Sequence, residues 1–216
     1  MFATVTITIF SLIVLLFSVM IHELAHGYVA FSLGDPTAKY EGRLTLNPLK
    51  HVDPFGSVIL PLLFLLISSL PGGQPFIFGW AKPVPINPYN FKDQKWGTLK
   101  VAIAGPASNL CIALVFGLLI RFLNFPQLYP FIGLMGIVVY LNILLALFNL
   151  IPIPPLDGSW ILFKFLPSSV NWLKNFFQQY GFFILIFVLF SGVLYGFYFI
   201  INVLFYIITG TYFAFP

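Results

Sequence analysis

Two histidines and a glutamate in the first apolar segment have the spacing of a metal site. The pentapeptide His22–His26 has the pattern H-E-x-x-H, and Glu23 directly follows the first histidine. On a helix, residues four apart lie on one face, so both imidazoles can reach one ion. The carboxylate between them can accept a proton from an ion-bound water. The pattern therefore predicts metal-assisted hydrolysis, and the alternative is a pair of polar residues at a contact between helices.

Two histidines leave a catalytic zinc site one ligand short, because such sites usually have three protein ligands and a water. The candidates are the remaining histidine, glutamate and aspartates: His51, Glu41, Asp35, Asp53, Asp93 and Asp157. Asp157 differs from the others because it lies in an apolar turn, where an unpaired carboxylate is costly and a metal would explain it. The alternative role for Asp157 is capping a helix that begins near Ser159.

The composition indicates which class of protein positions these residues. Hydrophobic residues make up 60% of the 216 residues and charged residues 7%, against about 45–50% and about 25% in soluble domains. So few charged side chains cannot cover a soluble surface, and the 27 phenylalanines exclude disorder. The Lys and Arg residues form no basic block, which excludes nucleic acid as a partner. Cys111 is the single cysteine, so no cysteine-based metal cluster can form.

Apolar runs predict the helices of a multi-pass membrane protein. The predicted elements are a long helix at 2–33, spans at 98–123, 131–151 and 182–208, and an amphipathic helix at 160–176. The run 58–70 contains Pro61 and is short for a span, so it is either a fifth span or a re-entrant segment. Partial alternation in Lys39–Leu46 favours a short strand or hairpin. The predicted fold is therefore all-α, with four to five transmembrane helices plus a short β-hairpin or re-entrant segment after the first.

The basic residues predict how these helices cross the membrane. Nine of the ten Lys and Arg residues lie between the first two spans, at the start of the second, or after the third: Lys39, Arg43, Lys50, Lys82, Lys92, Lys95, Lys100, Lys164 and Lys174. If 58–70 does not cross, four spans place every basic loop on one side, which the positive-inside rule makes cytoplasmic. His26, Gly105 and Asp157 then lie toward this face. If 58–70 does cross, the basic loops 34–55 and 71–100 fall on opposite sides.

Three motifs in order make the chain resemble the site-2 protease family of intramembrane zinc metalloproteases. Besides His22–His26, these are Gly105–Asn109, which matches G-P-x-x-N, and Asn149–Gly158, which matches N-x-x-P-x-x-x-x-D-G. With Asn47–Pro54 and Gly79–Pro85, the resemblance covers about residues 20–165. It is to the compact subgroup, which carries no PDZ or CBS domain. The expected organisation is one integral membrane metalloprotease domain over 1–216, with 166–216 as a peripheral C-terminal helix region.

The resemblance implies the roles of the central residues. His22, His26 and Asp157 would bind one Zn²⁺ per chain, and Glu23 would activate the water. Asn149 would hold the developing oxyanion or the scissile peptide, a role that side-chain amides can serve. The alternative for Asn149 is capping the broken end of its helix.

The resemblance also implies roles for residues around the centre. Asn109, with Gly105 and Pro106, would shape the packing of helices near the site. His51 would line the substrate entrance, or would simply bond to the backbone of its loop.

The function implied is hydrolysis of peptide bonds within or near transmembrane segments of membrane proteins. The partners would be a transmembrane protein substrate and the lipid bilayer, and the sequence leaves the oligomeric state open. The expected location is a prokaryotic plasma membrane, with the active site toward the cytoplasm. The alternative is a catalytically inactive, zinc-binding relative with a binding or regulatory role, which the intact Glu23 disfavours. Three histidines are too few for a desaturase-like di-iron enzyme acting on lipid.

Overall fold

Helices make up the regular structure of the described part of the chain, which contains no β-strand. The computed structural model describes residues 2–59, 62–63, 66–67, 81–123, 129–192 and 195–213. The α-helices are α1 (Phe2–Ser32), α2 (Thr37–Tyr40), α3 (Gly97–Phe122), α4 (Tyr129–Asn149), α5 (Asp157–Phe165), α6 (Asn171–Phe190) and α7 (Tyr195–Thr209). Single helical turns lie at Pro48–Lys50, Pro54–Ile59, Pro88–Asn90 and Ser168–Val170.

Four helical segments among the described residues are long and apolar enough to cross a membrane. They are Val5–Ser32, Gly97–Phe122, Phe131–Asn149 and Asn171–Phe190. The 31 residues of α1 make it about 47 Å long, which exceeds the apolar core of a bilayer at about 30 Å. The predicted all-α, multi-pass architecture with four spans agrees with this arrangement.

Helix α3 is the centre of the packing. It contacts α1, α4, α5 and α7, so it joins the helix that carries His22–His26 to the one that begins at Asp157. One buried cluster connects α3, α4 and α7 through Ala113, Val139 and Phe205. The outer faces of the helices carry exposed large hydrophobic side chains, as expected where lipid rather than water is the solvent.

The predicted strand or hairpin at Lys39–Leu46 is wrong. The chain instead forms α2 and then turns at Gly42, whose φ is 63°. A strand needs a neighbouring edge to bond its N–H groups, whereas local partners are available here. The Asp35 side chain accepts from the Thr37 N–H, and the Arg43 N–H donates to the Ala38 carbonyl. These bonds satisfy the backbone as a helical turn, so the weak alternation does not produce a strand.

The predicted last span at 182–208 is divided in the structure, and so is the predicted amphipathic helix at 160–176. α6 ends at Phe190 and α7 begins at Tyr195. Gly192 has a φ of 78°, in the left-handed region that commonly ends a helix. The break between α5 and α6 contains Pro167, which has no N–H to continue a helix. Apolar residues lie on both sides of each break, so the hydropathy pattern predicts one continuous helix where the structure has two.

The choice between a fifth span and a re-entrant segment at 58–70 falls largely outside the described residues. The chain on either side of residues 60–80 is described. There the Lys82 N–H donates to the His51 carbonyl at 2.9 Å. The residues that precede and follow this stretch are therefore in direct contact.

Candidate metal centre

The side chains of His22, His26 and Asp157 converge on one point. The Nε2 atom of His22 lies 3.0 Å from that of His26 and 3.0 Å from Asp157 Oδ2, and His26 Nε2 lies 3.3 Å from the same oxygen. Both histidines are buried on one face of α1. Asp157 is the first residue of α5, and Leu156 occupies the capping position. The structure thus brings the three predicted ligands together, and Asp157 does not serve as the helix cap.

The second nitrogen of each imidazole is bonded to the protein. His22 Nδ1 lies 2.7 Å from Asn109 Oδ1, and His26 Nδ1 lies 2.7 Å from the Val101 carbonyl oxygen. Both partners are acceptors, so each Nδ1 is the donor. A neutral imidazole has one N–H, which leaves the lone pair of each Nε2 directed at the centre. Metal-binding histidines typically donate their other nitrogen in this way.

Three electron-pair donors therefore face one another without a hydrogen atom between them. Asp157 Oδ2 is buried and accepts no hydrogen bond from the described residues. A cation at the centre would remove this repulsion. Nitrogen and oxygen ligands at about 2.0–2.1 Å from a tetrahedral zinc ion lie about 3.3 Å apart. The observed separations of 3.0–3.3 Å fit a zinc ion with three protein ligands and one open position.

Helix α3 approaches the centre through Gly105. A Cβ atom at this position would lie 2.4 Å from His26 Nε2 and 2.5 Å from His22 Nε2. The next residue, Pro106, has no N–H, so the Ala102 carbonyl loses its donor within the helix. These contacts place α3 directly against the two histidines, and the role of Gly105 and Pro106 in shaping this packing stays a prediction.

The turn before α5 is folded tightly around Gly158. A Cβ atom there would lie 2.2 Å from the carbonyl oxygen of Leu150, so a larger residue would push the turn away from the end of α4. Asp157 precedes this glycine, and its position therefore depends on that close approach.

Comparison with known proteins bears on the same residues. Residues 126–192, which include Asn149 and Asp157, match the sequence profile of Peptidase family M50. YwhC of Bacillus subtilis is 41% identical over 185 residues, which cover 82% of this chain and 78% of YwhC. The chain belongs to Peptidase family M50.

Two mycobacterial relatives extend this result. Rip2 of Mycolicibacterium smegmatis is 30% identical over 83% of the chain, and Rip2 of Mycobacterium tuberculosis is 31% identical over 66% of it. The M50 chain spans 66% and 52% of their respective lengths. The names of YwhC and both Rip2 proteins contain the words zinc metalloprotease. No solved structure matches the chain significantly. This M50 chain is a zinc metalloprotease of the site-2 type.

Glu23 of the M50 chain is held by a backbone N–H from a distant loop. Its Oε2 accepts from the Val84 N–H at 2.9 Å. Val84 lies between two prolines in the irregular segment Lys82–Pro85, which the side chain of Arg43 fixes in place. The Arg43 guanidinium donates to the carbonyls of Lys82 and Pro83 at 2.7 and 3.1 Å. The carboxylate between the two histidines is thus positioned by a loop about 60 residues away in sequence.

His51 lies outside the cluster of converging ligands. Its Nε2 bonds to the Thr45 carbonyl oxygen at 2.9 Å, and its side chain is buried in the loop. Of the two roles predicted for His51, this contact favours bonding to the backbone. The grouping of possible ligands in the described residues contains His22, His26 and Asp157 only.

Asn149 is the last residue of α4. Its Nδ2 donates to the Leu145 carbonyl at 3.0 Å, one turn back in the same helix. The side chain is partly buried. Its predicted contact with substrate stays a prediction.

Two polar residues that complete the surroundings of His22 are not predicted by any sequence motif. Asn142 is fully buried in α4 and bonds to Asn109, and Ser18 is buried in α1 and bonds to both asparagines. The available signal was an amide side chain in the middle of an otherwise apolar span, where polar groups usually bond to another helix.

Proposed function

We propose that this M50 protease is an intramembrane endopeptidase that hydrolyses peptide bonds within or next to transmembrane segments of membrane proteins. His22, His26 and Asp157 would hold one zinc ion. The convergence of their donor atoms within 3.3 Å carries the proposal. Two of them lie on α1, within a segment long and apolar enough to cross a membrane.

The chain's own residues divide the reaction between them. Zinc, when bound, lowers the pKa of a coordinated water and polarises the scissile carbonyl. Glu23 accepts a proton from the attacking water and delivers it to the nitrogen of the leaving amine as the C–N bond breaks. One water is consumed, and the products are a new carboxyl and a new amino terminus. The Val84 N–H holds the Glu23 carboxylate in place for both transfers.

A substrate helix must unwind locally before this attack, because its carbonyls are bonded within the helix. Asn149 would then donate to the scissile peptide. Its amide nitrogen has two hydrogens, and the bond to Leu145 uses one. The second is the one proposed to face the developing oxyanion.

The proposed location is a prokaryotic plasma membrane, with the centre toward the cytoplasm. The basic loops support this orientation. α1 ends beside the loop that precedes α3, since the Lys92 N–H donates to the Leu33 carbonyl at 2.8 Å. This loop carries Lys92 and Lys95, which the positive-inside rule assigns to the cytoplasm.

Glu23→Gln tests the proposed base. The amide cannot accept the proton, so cleavage of a model transmembrane substrate in proteoliposomes should fall at least about 10²–10⁴-fold. Zinc content should be unchanged, because Glu23 is not a ligand. The matched control is Glu41→Gln, which alters the only other glutamate, on an exposed turn. Wild-type rates in purified Glu23→Gln would refute the mechanism. No cleavage by the zinc-loaded wild type would favour the alternative, a catalytically inactive protein with a binding or regulatory role.

Asp157→Asn tests the third ligand. The amide keeps the volume of the side chain but is a poorer ligand, so zinc per chain should fall sharply in metal analysis of the purified protein. Asp53→Asn and His51→Ala should retain about one zinc, because neither residue lies in the cluster. Full zinc in Asp157→Asn together with loss in His51→Ala would transfer the ligand role to His51.

A further inference from the structure

A buried chain of amide side chains leads away from His22 into the bundle. The Asn109 oxygen accepts from His22 Nδ1, and the Asn109 nitrogen lies 2.9 Å from Asn142 Oδ1 and 3.3 Å from the Ser18 carbonyl oxygen. The Asn142 nitrogen donates to Ser18 Oγ and to the Val138 carbonyl, each at 2.9 Å. Both asparagines are 0% exposed, so water does not compete for these bonds.

Two backbone carbonyls fix the donor-to-acceptor direction of this series of hydrogen bonds. The carbonyls of Val138 and Ser18 can only accept, so the atoms of Asn142 and Asn109 that face them must be the NH₂ groups. Asn142 therefore presents its oxygen to Asn109. Asn109, with its nitrogen facing Asn142, must present its oxygen to His22. The reverse orientation of either amide would place two acceptors against each other in a buried site, which is costly.

We infer that Asn142 is a positioning residue that selects the tautomer of His22. By fixing the orientation of Asn109, it keeps the ring hydrogen on Nδ1 and the lone pair of Nε2 toward the metal centre. Two acceptors, Asn142 Oδ1 at 2.9 Å and the Ser18 carbonyl at 3.3 Å, keep the Asn109 NH₂ group turned away from His22. Without the acceptor at position 142, only the longer bond to Ser18 opposes rotation of the Asn109 amide, so the form of His22 with its hydrogen on Nε2 becomes accessible. The inference rests on the proposed metal site for its consequence, but the tautomer itself is a property of the metal-free protein.

The first test measures that tautomer directly. The chain has three histidines, so the ¹⁵N chemical shifts of the imidazoles can be assigned by single substitutions in metal-free protein. In the wild type, His22 should carry its hydrogen on Nδ1. In Asn142→Leu, which keeps the branched shape of the side chain but removes the acceptor, the Nε2–H form of His22 should become populated. His26 should not change in the same sample, because its Nδ1 is bonded to a backbone carbonyl.

The second test measures zinc affinity by competition with a chelator. Asn142→Leu should bind zinc about 10–100-fold more weakly, as expected when a partner behind a ligand is lost. Asn142→Asp, whose carboxyl is protonated in an apolar interior and keeps an acceptor oxygen, should stay near wild type. Asn202→Leu is the matched control, since Asn202 makes the same bond to the carbonyl four residues earlier, Tyr198, but lies away from the centre. If Asn142→Leu does not fold, Asn142→Ala replaces it.

A double-mutant cycle separates positioning from packing. In the Asn109→Ala background, Asn142→Leu should weaken zinc binding no further, because Asn142 acts through Asn109. Additive losses, or an unchanged His22 tautomer in Asn142→Leu, would overturn the inference. A wild type that binds no zinc would instead refute the proposed function, and the tautomer measurement would still decide the role of Asn142.

Discussion

Gly105 shows how the absence of a side chain leaves room for an ion at the metal centre. It lies on α3, opposite the two histidines of α1, and the nearest atoms to its missing Cβ are the ring atoms of His22 and His26. An alanine would place a methyl group against both Nε2 atoms, where the ion is proposed to bind. The absence of a side chain at position 105 is therefore part of the ligand geometry.

Gly105→Ala should separate metal binding from folding. Alanine favours a helix over glycine by roughly 0.5–1 kcal/mol, but its methyl group would occupy the space between the histidines. We expect zinc affinity to fall by at least about 10–100-fold while the helical circular dichroism is retained. Gly196→Ala is the control, because a Cβ at that helical position meets nothing within 4 Å. Zinc binding of wild-type strength in Gly105→Ala would show that the centre lies elsewhere.

Among the elements, the end of α1 is tied to the loop before α3 by one carboxylate. Asp35 is 1% exposed and accepts from the Thr37 N–H and hydroxyl, the Asn87 N–H and the Asn90 amide. Burial opposes ionisation of Asp35, but these bonds outweigh it and hold the pKa of Asp35 below its usual range. The loop tied in this way continues from the segment that positions Glu23.

Asp35→Asn should destabilise the protein in a pH-dependent way. A carboxylate that accepts these bonds contributes about 1.5–3 kcal/mol. Because its pKa is lowered in the folded state, this contribution is present above the unfolded pKa of about 3.9 and is lost as the pH falls through the lower folded value. Thermal unfolding in detergent should therefore show a lower melting temperature for the variant at pH 7 and a shrinking difference below about pH 4. A difference that stays constant down to the lowest pH at which the protein folds would contradict this account, and exposed Glu41→Gln should have little effect.

The sequence was most informative where chemistry constrains residue types at short spacing. H-E-x-x-H fixes two ligands on a helix face, and the cost of a lone carboxylate in an apolar turn singled out Asp157. The bonds of Glu23 to Val84 and of His22 to Asn109 join residues 61 and 87 positions apart, which no local pattern reveals. The prediction of a strand at Lys39–Leu46 is wrong because the Asp35 side chain and the Ala38 carbonyl satisfy the backbone locally. The breaks near Pro167 and Gly192 were missed because hydropathy does not change across them.

At the scale of the whole molecule, α3 defines two opposite ends of the bundle. Lys95 and the loop that contacts the end of α1 lie before its first residue, Gly97. At its other end, Arg121 donates to the Ile207 carbonyl in the last turn of α7 at 2.7 Å. With 26 residues, α3 is about 39 Å long, enough to separate these two groups by the thickness of a bilayer.

Single-cysteine labelling tests this topology. After Cys111→Ser, cysteines at exposed Lys50 and Lys95 should both react with an impermeant reagent from the cytoplasmic side. A cysteine at exposed Tyr212 should react from the opposite side, because it follows α7 at the far end of α3. Labelling of Lys50→Cys and Lys95→Cys from opposite sides would mean that the stretch between His51 and Lys82 crosses the membrane. Labelling of both from the outer side would reverse the proposed orientation.

The two prolines beside Val84 allow only one residue of this segment to bond to Glu23. In Pro83–Val84–Pro85, only the middle residue has an N–H, and Glu23 accepts it. A slip of one residue in either direction would place a proline opposite the carboxylate and leave it without a donor. A slip of two would remove the Lys82 and Pro83 carbonyls from Arg43. Insertions or deletions before Lys82 should therefore not change which residue donates to Glu23.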